Sequence, residues 1–123
     1  MFLGLRTAGY RVNELERAKA WYSSILGFGP YFDEPFYVGF NVAGYELGLM
    51  PDESGSSAKS DNEVAYWGVE NAQAAIEMLL GKGATRHEDV QDVGGGIKVG
   101  TVKDPFGNVF GVIENPHFKL DKE

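Results

Sequence analysis

The sequence predicts an α+β protein built from two tandem βαβββ modules, and three observations favour this fold class. Strand-like and helix-like patterns follow one another in the same order in both halves of the 123-residue chain. Corresponding points of the halves, Val12 with Val69 and Gly27 with Gly83, lie 57 and 56 positions apart. A stretch that contains a Ser cluster together with Pro, Asp, Gly and Lys, and almost nothing apolar, separates them. One helix cannot cover both faces of its sheet, so the two modules are expected to fold together.

We therefore expect residues 1–123 to form a single domain. Its parts are a first module at about 1–50, a linker at about 51–62, a second module at about 63–115 and a tail at 116–123.

The first module begins with a strand predicted from Leu5 to Val12. Asn13 then has the character of a helix N-cap, and Glu16 stands three positions on as its capping-box partner. Apolar residues recur at helical spacing up to Gly27, which supplies a left-handed stop. A helix of about three turns is therefore expected between Asn13 and Gly27.

Strands follow from Phe28 to Met50, with Ala43-Gly44 as a two-residue hairpin turn. This turn pairs Asn41 with Glu46 and places polar or small side chains on one face, a surface that suits either a binding cup or a solvated outer face. The members of that face are Tyr37, Gly39, Asn41, Glu46, Gly48 and Met50. The opposite face is apolar and is expected to pack under the helix: Phe36, Val38, Phe40, Val42, Leu47 and Leu49.

The second module repeats this plan. A strand is predicted from Glu63 to Val69, and a helix capped by Asn71 ends at Gly81 and Gly83. Gly94-Gly95-Gly96 is interpreted as a loop at the edge of the cup, since no helix follows to make it a phosphate loop. The remaining strands are predicted at Ala84–Val90, Ile97–Lys103 and Val109–Glu114, with a turn at 104–108 before the last.

Composition excludes several classes of function. The 11 Lys and Arg residues are outnumbered by 18 Asp and Glu residues, which leaves a net charge of −7 and argues against a nucleic-acid partner. With no Cys, the chain has no disulfides, zinc thiolates or cysteine nucleophiles. No stretch approaches the length of a membrane span, and the N-terminal apolar run is too short for a signal peptide, so a cytoplasmic protein is expected.

Two motifs resemble those of the vicinal oxygen chelate superfamily, which includes glyoxalases, bleomycin-resistance proteins and extradiol dioxygenases. The first runs from Tyr10-Arg11-Val12 through Trp21-Tyr22 to Ile25-Leu26-Gly27-Phe28, and the second is the Asp104-Pro105-Phe106-Gly107-Asn108 turn. The resemblance covers nearly the whole chain. It implies a curved, open, mixed eight-stranded sheet around a cleft, with helices on the convex face, and a homodimer that binds a small molecule.

The resemblance also implies where a metal would sit. The ligand positions of metal-using members fall on Thr7, Glu46, Val64 and Gly111, and only Glu46 has a side chain that suits a divalent ion. No cofactor is therefore expected, and a divalent metal would be held only weakly. His87 and His117 lie away from these positions and are expected to be ordinary surface or edge residues. His87 and Glu88 are neighbours on a strand and should point to opposite faces.

Arg11 and Glu46 are the candidate catalytic residues. Arg11 is expected either to bind a carboxylate of the ligand or to pair with an acidic residue such as Glu46. Glu46 could be neutralised by Arg11, bind a cationic ligand, or act as a base if burial raises its pKa. The expected ligand-binding residues are Thr7, Arg11, Tyr37, Asn41, Glu46, Met50, Tyr66, Val99 and Thr101. Trp21, Tyr22 and Trp67 are assigned to core packing.

The sequence thus favours a metal-free protein that binds an organic ligand in a cup between the modules, and this ligand is anionic if Arg11 binds it. The alternatives are a glyoxalase-like lyase or isomerase, or a dioxygenase-like enzyme with a degenerate metal site. The chain contains 17 Gly, and five of them are predicted on the concave face, which is expected to be hollow: Gly9, Gly39, Gly48, Gly68 and Gly111.

Overall fold

The computed structural model of the chain describes residues 1–52, 59 and 64–118. The chain divides into two compact units, Met1–Ala58 and Lys59–Glu123, and each contains one βαβββ module. The predicted α+β class and the two modules are confirmed. Among the described residues, the strands are hydrogen-bonded as two four-stranded sheets, one in each unit. Most of the predicted linker, Glu63 and the end of the tail lie outside the described residues.

The first unit contains a four-stranded mixed sheet and one helix. Its elements are β1 (Thr7–Val12), α1 (Leu15–Leu26), β2 (Phe32–Glu34), β3 (Tyr37–Val42) and β4 (Tyr45–Pro51). The strand order is β1-β4-β3-β2, in which β1 runs parallel to β4 and the other pairs are antiparallel. The long connection between β1 and β4, which runs through α1, β2 and β3, is what allows these two strands to be parallel.

The ends of α1 differ in how well they were predicted. Gly27 ends the helix in the left-handed conformation, with φ of 85°, and its N–H donates to the Ser23 carbonyl, as expected. The capping box is wrong: Glu14 occupies the N-cap position, and no side chain caps the helix. The Glu14 carboxylate instead accepts a hydrogen bond from Arg17 at 3.3 Å.

The β3–β4 hairpin has the predicted turn. Ala43 and Gly44 have φ values of 53° and 94°, and the Asn41 side chain accepts a hydrogen bond from the Gly44 N–H. The register pairs Asn41 with Glu46, as predicted. The prediction that Phe36 belongs to the buried apolar face is wrong, since Phe36 precedes β3 and is 67% exposed. The remaining members of the predicted apolar face are buried or half-buried: Val38, Phe40, Val42, Leu47 and Leu49.

The second unit has the same plan. Its elements are β5 (Ala65–Gly68), α2 (Ala72–Gly81), β6 (Thr85–Gly94), β7 (Ile97–Lys103) and β8 (Val109–Glu114), in the sheet order β5-β8-β7-β6. The predicted Asn71 cap is confirmed, because its side chain accepts a hydrogen bond from the Ala74 N–H at 2.9 Å. In the turn before β8, the Asp104 carboxylate accepts from the N–H groups of Phe106 and Asn108.

The strand pair β6–β7 is joined by a tight turn. Gly95 and Gly96 form it with φ values of 63° and 81°, a conformation that favours glycine. Gly95 and Gly96 are thus a two-residue hairpin connection between Gly94, the last residue of β6, and its partner Ile97.

The aromatic residues assigned to core packing are buried or half-buried. Tyr22 is fully buried, and Trp67 is half-buried and stacks on Phe110 with ring centroids 4.8 Å apart. Neither helix of the described chain is long and apolar enough to cross a membrane.

Candidate functional site

The polar face of the first sheet is organised around the carboxylate of Glu46. Oε1 accepts hydrogen bonds from Thr7 Oγ1 at 3.0 Å and from the Tyr37 hydroxyl at 2.9 Å, while Oε2 accepts one from the Tyr31 hydroxyl. Thr7 lies directly across from Glu46 on β1, Tyr37 begins β3, and Tyr31 precedes β2. Three separate segments therefore converge on one acidic group. We call these four residues the Glu46 cluster.

Hydrogen bonding sets the protonation of this cluster. The Tyr31 hydroxyl lowers the pKa of Glu46 below its ordinary value, partial burial opposes this, and the hydroxyls of Tyr37 and Thr7 add to it. Burial, together with the bond to Glu46, raises the pKa of Tyr37 to about 12. The bond to Glu46 and burial also raise the pKa of Tyr31. At neutral pH the Glu46 cluster is therefore a carboxylate held by neutral hydroxyls.

Glycines make room for these side chains. A Cβ added at Gly48 would lie 2.1 Å from the Tyr37 hydroxyl oxygen, and one at Gly39 would lie 2.9 Å from the Glu46 carboxylate. A Cβ at Gly9 would lie 2.8 Å from the terminal methyl of Met50. The expectation of a hollow face is wrong at these positions, because neighbouring side chains cover the glycines.

An open cavity of about 280 Å³ adjoins the Glu46 cluster. Thr7, Tyr31 and Glu46 line it together with Asn41, Tyr45, Arg6 and Gly44. Of the predicted ligand-binding residues in the first module, Thr7, Asn41 and Glu46 line this cavity. Tyr37 and Met50 lie on the same face, over Gly48 and Gly9.

Arg11 does not pair with Glu46, so that interpretation is wrong. In the part of the chain that the structure describes, the donors to the Glu46 carboxylate are hydroxyls. Arg11 lies opposite Met50 on β4, whereas Thr7 lies opposite Glu46. Four residues along a strand correspond to about 13 Å. Tyr37 reaches the carboxylate from β3, and Tyr31 reaches it from the segment before β2.

Tyr31 is the member of the cluster that the sequence did not identify. Its ring is 64% exposed and its N–H donates to the Gly39 carbonyl. The segment before β2 has no strict alternation, so no face could be assigned to its side chains. The only sequence indication is the concentration of aromatic residues between Phe28 and Phe36.

The second unit has its own smaller cavity of about 140 Å³. Three predicted residues line it, Tyr66, Val99 and Thr101, and Glu88, Asp89, Gln91 and Gly100 complete its wall. The structure therefore groups the predicted residues into one set in each unit.

A hydrogen-bond network supports this second cavity. The Thr101 hydroxyl, in a side chain only 2% exposed, lies 2.9 Å from His87 Nδ1 and accepts a hydrogen bond from the Glu88 N–H at 3.1 Å. The prediction that His87 and Glu88 point to opposite faces is wrong, since His87 Nδ1 is 3.9 Å from Glu88 Oε1. A register shift between Arg86 and Glu88 interrupts the alternation of β6. His87 is therefore a half-buried part of this network.

His117 is exposed, as predicted, and its Nε2 lies 2.6 Å from the Gly95 carbonyl oxygen.

A family profile decides the ancestry of the chain. The profile of the Glyoxalase/Bleomycin resistance protein/Dioxygenase superfamily matches residues 4–112. The chain belongs to this superfamily. No curated protein matches its sequence significantly.

Solved structures of superfamily-like proteins share the fold at low sequence identity. A glyoxalase-related enzyme from Fulvimarina pelagi is 17% identical, with a TM-score of 0.80 over 97% of this chain and 93% of that one. A lactoylglutathione lyase from Agrobacterium tumefaciens is 17% identical, with a TM-score of 0.74 over 97% and 100% of the two chains. A glyoxalase/bleomycin resistance protein from Albidiferax ferrireducens is 19% identical, with a TM-score of 0.69 over 89% and 97%.

The positions at which metal-using members of the superfamily hold their ligands fall on both units of the chain. In the first unit, Thr7 and Glu46 are in hydrogen-bond contact, and the Thr7 hydroxyl donates to the carboxylate. In the second unit, Gly111 lies opposite Tyr66, and the side chains of Val64 and Tyr66 pass 2.8 and 2.7 Å from the point where a Cβ of Gly111 would be. Among the described residues, no three His, Cys, Asp or Glu side chains are grouped closely enough to hold a metal ion. Of these four positions, only Glu46 carries a side chain that commonly ligates a divalent ion.

Proposed function

We propose that this protein binds a small organic molecule in the cavity beside Glu46, without a tightly held metal ion. The observation that carries the proposal is the Glu46 carboxylate, which hydroxyl groups from three segments hold beside an open cavity of about 280 Å³. A polar group that is already oriented before binding loses little freedom when a ligand arrives. The arrangement therefore suits recognition.

Binding suits this carboxylate better than proton abstraction. The three hydroxyls lower the pKa of Glu46, which makes its carboxylate a weaker base at neutral pH. Oε1 already accepts two hydrogen bonds, whereas Oε2 accepts one. A carboxylate oxygen has two lone pairs, so Oε2 retains capacity for one donor from a ligand.

A compound screen by thermal shift tests the proposal. Compounds that bind should raise the melting temperature of the wild-type protein, and the shift should shrink in Tyr45→Ala, which removes one wall of the cavity. The matched control is Tyr66→Ala, which removes an exposed tyrosine from the second unit. Shifts that survive Tyr45→Ala and disappear in Tyr66→Ala would move the site to the second cavity and overturn the proposal.

Elemental analysis tests the metal-free part. The purified and dialysed protein is expected to contain zinc, nickel and iron well below one ion per chain. A stoichiometric metal that is lost in Glu46→Gln would contradict the proposal.

A lyase is the second candidate function. Two observations favour it: Glu46 stands at a superfamily ligand position, and the fold matches that of the Agrobacterium lactoylglutathione lyase with a TM-score of 0.74. The assay follows both the formation and the cleavage of lactoylglutathione, with and without added Zn²⁺ or Ni²⁺. Turnover that Glu46→Gln abolishes would support an enzyme, and its absence under all conditions would support binding alone.

A further inference from the structure

We propose that the ligand of this site is an organic cation with a flat apolar body. The inference rests on the proposed function and names the class of ligand that the same cavity would take. It is carried by the charge of the Glu46 cluster and by exposed aromatic rings beside it.

The negative charge of Glu46 is not neutralised within the Glu46 cluster. Its partners in the described chain are three hydroxyls, and these stay protonated because the pKa values of both tyrosines are raised. Lys19 is committed elsewhere, to Glu16 at 2.7 Å and to Asp33 at 3.0 Å. A ligand cation would therefore meet a carboxylate that is hydrogen-bonded only to neutral hydroxyls and has an open acceptor position on Oε2.

Aromatic rings continue outward from the Glu46 cluster. Tyr31, which donates to Glu46, lies 6.5 Å from Phe32 between ring centroids, and Phe32 lies 6.0 Å from Phe36. Phe36 is 67% exposed, and Tyr45, which lines the cavity, is 42% exposed. Exposed aromatic faces attract cations through their quadrupole and stack on flat apolar groups. A carboxylate beside such rings is complementary to a cation with delocalised charge.

Arg6 allows the sign of the ligand's charge to be tested, because it is the basic residue that lines the cavity. Its side chain is exposed and has no contact with the Glu46 carboxylate in the described structure. Its positive charge would repel a cationic ligand and attract an anionic one. Removal of this charge should therefore strengthen the binding of a cation and weaken the binding of an anion.

The experiment is a fluorescence titration with two probes of opposite charge. Berberine is a flat quaternary ammonium, and 8-anilinonaphthalene-1-sulfonate is an aromatic anion of similar size. Berberine should bind the wild-type protein more tightly than the sulfonate does. Glu46→Gln should weaken berberine about tenfold, and Arg6→Gln should strengthen it about threefold. The control Glu77→Gln removes a negative charge from an exposed position on α2 and should leave its affinity unchanged.

Failure of this inference can be told apart from failure of the proposed function. If the sulfonate binds, loses affinity in Tyr45→Ala and Arg6→Gln, and berberine does not bind, the ligand class is overturned and the site stands. If no probe or screened compound responds to Tyr45→Ala, the proposed function itself fails. Circular dichroism checks that the Glu46→Gln variant is folded. If that variant is unfolded, the Arg6→Gln variant alone decides the sign of the ligand charge.

Discussion

The Tyr37 hydroxyl shows how one residue sets both the position and the charge of the Glu46 cluster. Its ring lies over Gly48, and its oxygen donates to Glu46 Oε1 at 2.9 Å. Since this bond favours the ionised carboxylate, it links folding to pH. Stabilisation by a lowered pKa is fully present above the unfolded value, near 4.5 for Glu46, and is lost as the pH falls through the folded value.

Tyr37→Phe should therefore raise the pKa of Glu46 and lower the free energy of unfolding at pH 7 by about 1 kcal/mol. The measurements are carboxyl NMR titration and urea unfolding between pH 7 and pH 3. The variant should lose less stability than wild type over that interval, because less of its stability depends on the ionised Glu46. Tyr45→Phe is the control, since the structure shows no hydrogen bond from that hydroxyl to Glu46. Parallel pH curves for wild type and Tyr37→Phe would contradict the prediction.

At the scale of elements, close packing of side chains over strand glycines is the feature most sensitive to substitution. Gly48 on β4 has the Tyr37 ring against it, whereas a Cβ at Gly68 on β5 would meet no atom within 4 Å. Gly48→Ala should displace Tyr37 and cost about 1–3 kcal/mol of stability. Gly68→Ala should be neutral or slightly stabilising, because alanine restricts the unfolded chain. Chemical denaturation compares the two, and equal effects would contradict this account of the first sheet.

The bulge in β6, at the register shift between Arg86 and Glu88, lies against the buried hydroxyl of Thr101. Thr101→Val would leave the Glu88 N–H and His87 Nδ1 without that partner, and should cost about 1–3 kcal/mol. Thr101→Ser keeps the hydroxyl and should retain most of the stability. Thermal unfolding distinguishes them. If the valine variant is as stable as the serine variant, the network does not stabilise the bulge.

At the scale of the whole molecule, the two modules share one topology but differ in chemistry. Both sheets follow the same order, with the first strand parallel to the last. Glu46 lies opposite Thr7 in the first unit, whereas Gly111 lies opposite Tyr66 in the second. The two modules thus share a strand order, whereas the side chains that face one another across the parallel strand pairs differ.

We predict that the protein is a homodimer in solution. Superfamily membership supports this, and sedimentation equilibrium should give twice the chain mass of 13.5 kDa. Dilution to nanomolar concentration should dissociate the dimer without unfolding it if each chain folds by itself. A single species of 13.5 kDa at micromolar concentration would refute the prediction.

Local patterns in the sequence were enough to predict most of the fold. The turn at Ala43-Gly44 and the Asn71 cap depend on backbone conformations that few residues favour, and both are confirmed. The predicted Asn13 cap is wrong, because Glu14 occupies the N-cap position. Several polar residues near a helix start can occupy that position, and only the observed backbone selects one of them.

The candidate site likewise has residues that the sequence placed correctly and residues that it did not. By itself, the sequence determined that Asn41 and Glu46 share one face of the β3–β4 hairpin, because alternation along a paired strand is a local property. The position of Thr7 beside Glu46 was implied by the family resemblance, and the register of β1 with β4 confirms it. Only the tertiary structure decided that Tyr31, and not Arg11, contacts Glu46, and that a bulge brings His87 and Glu88 together. These contacts join residues from segments without regular alternation, whose directions depend on how the whole unit packs.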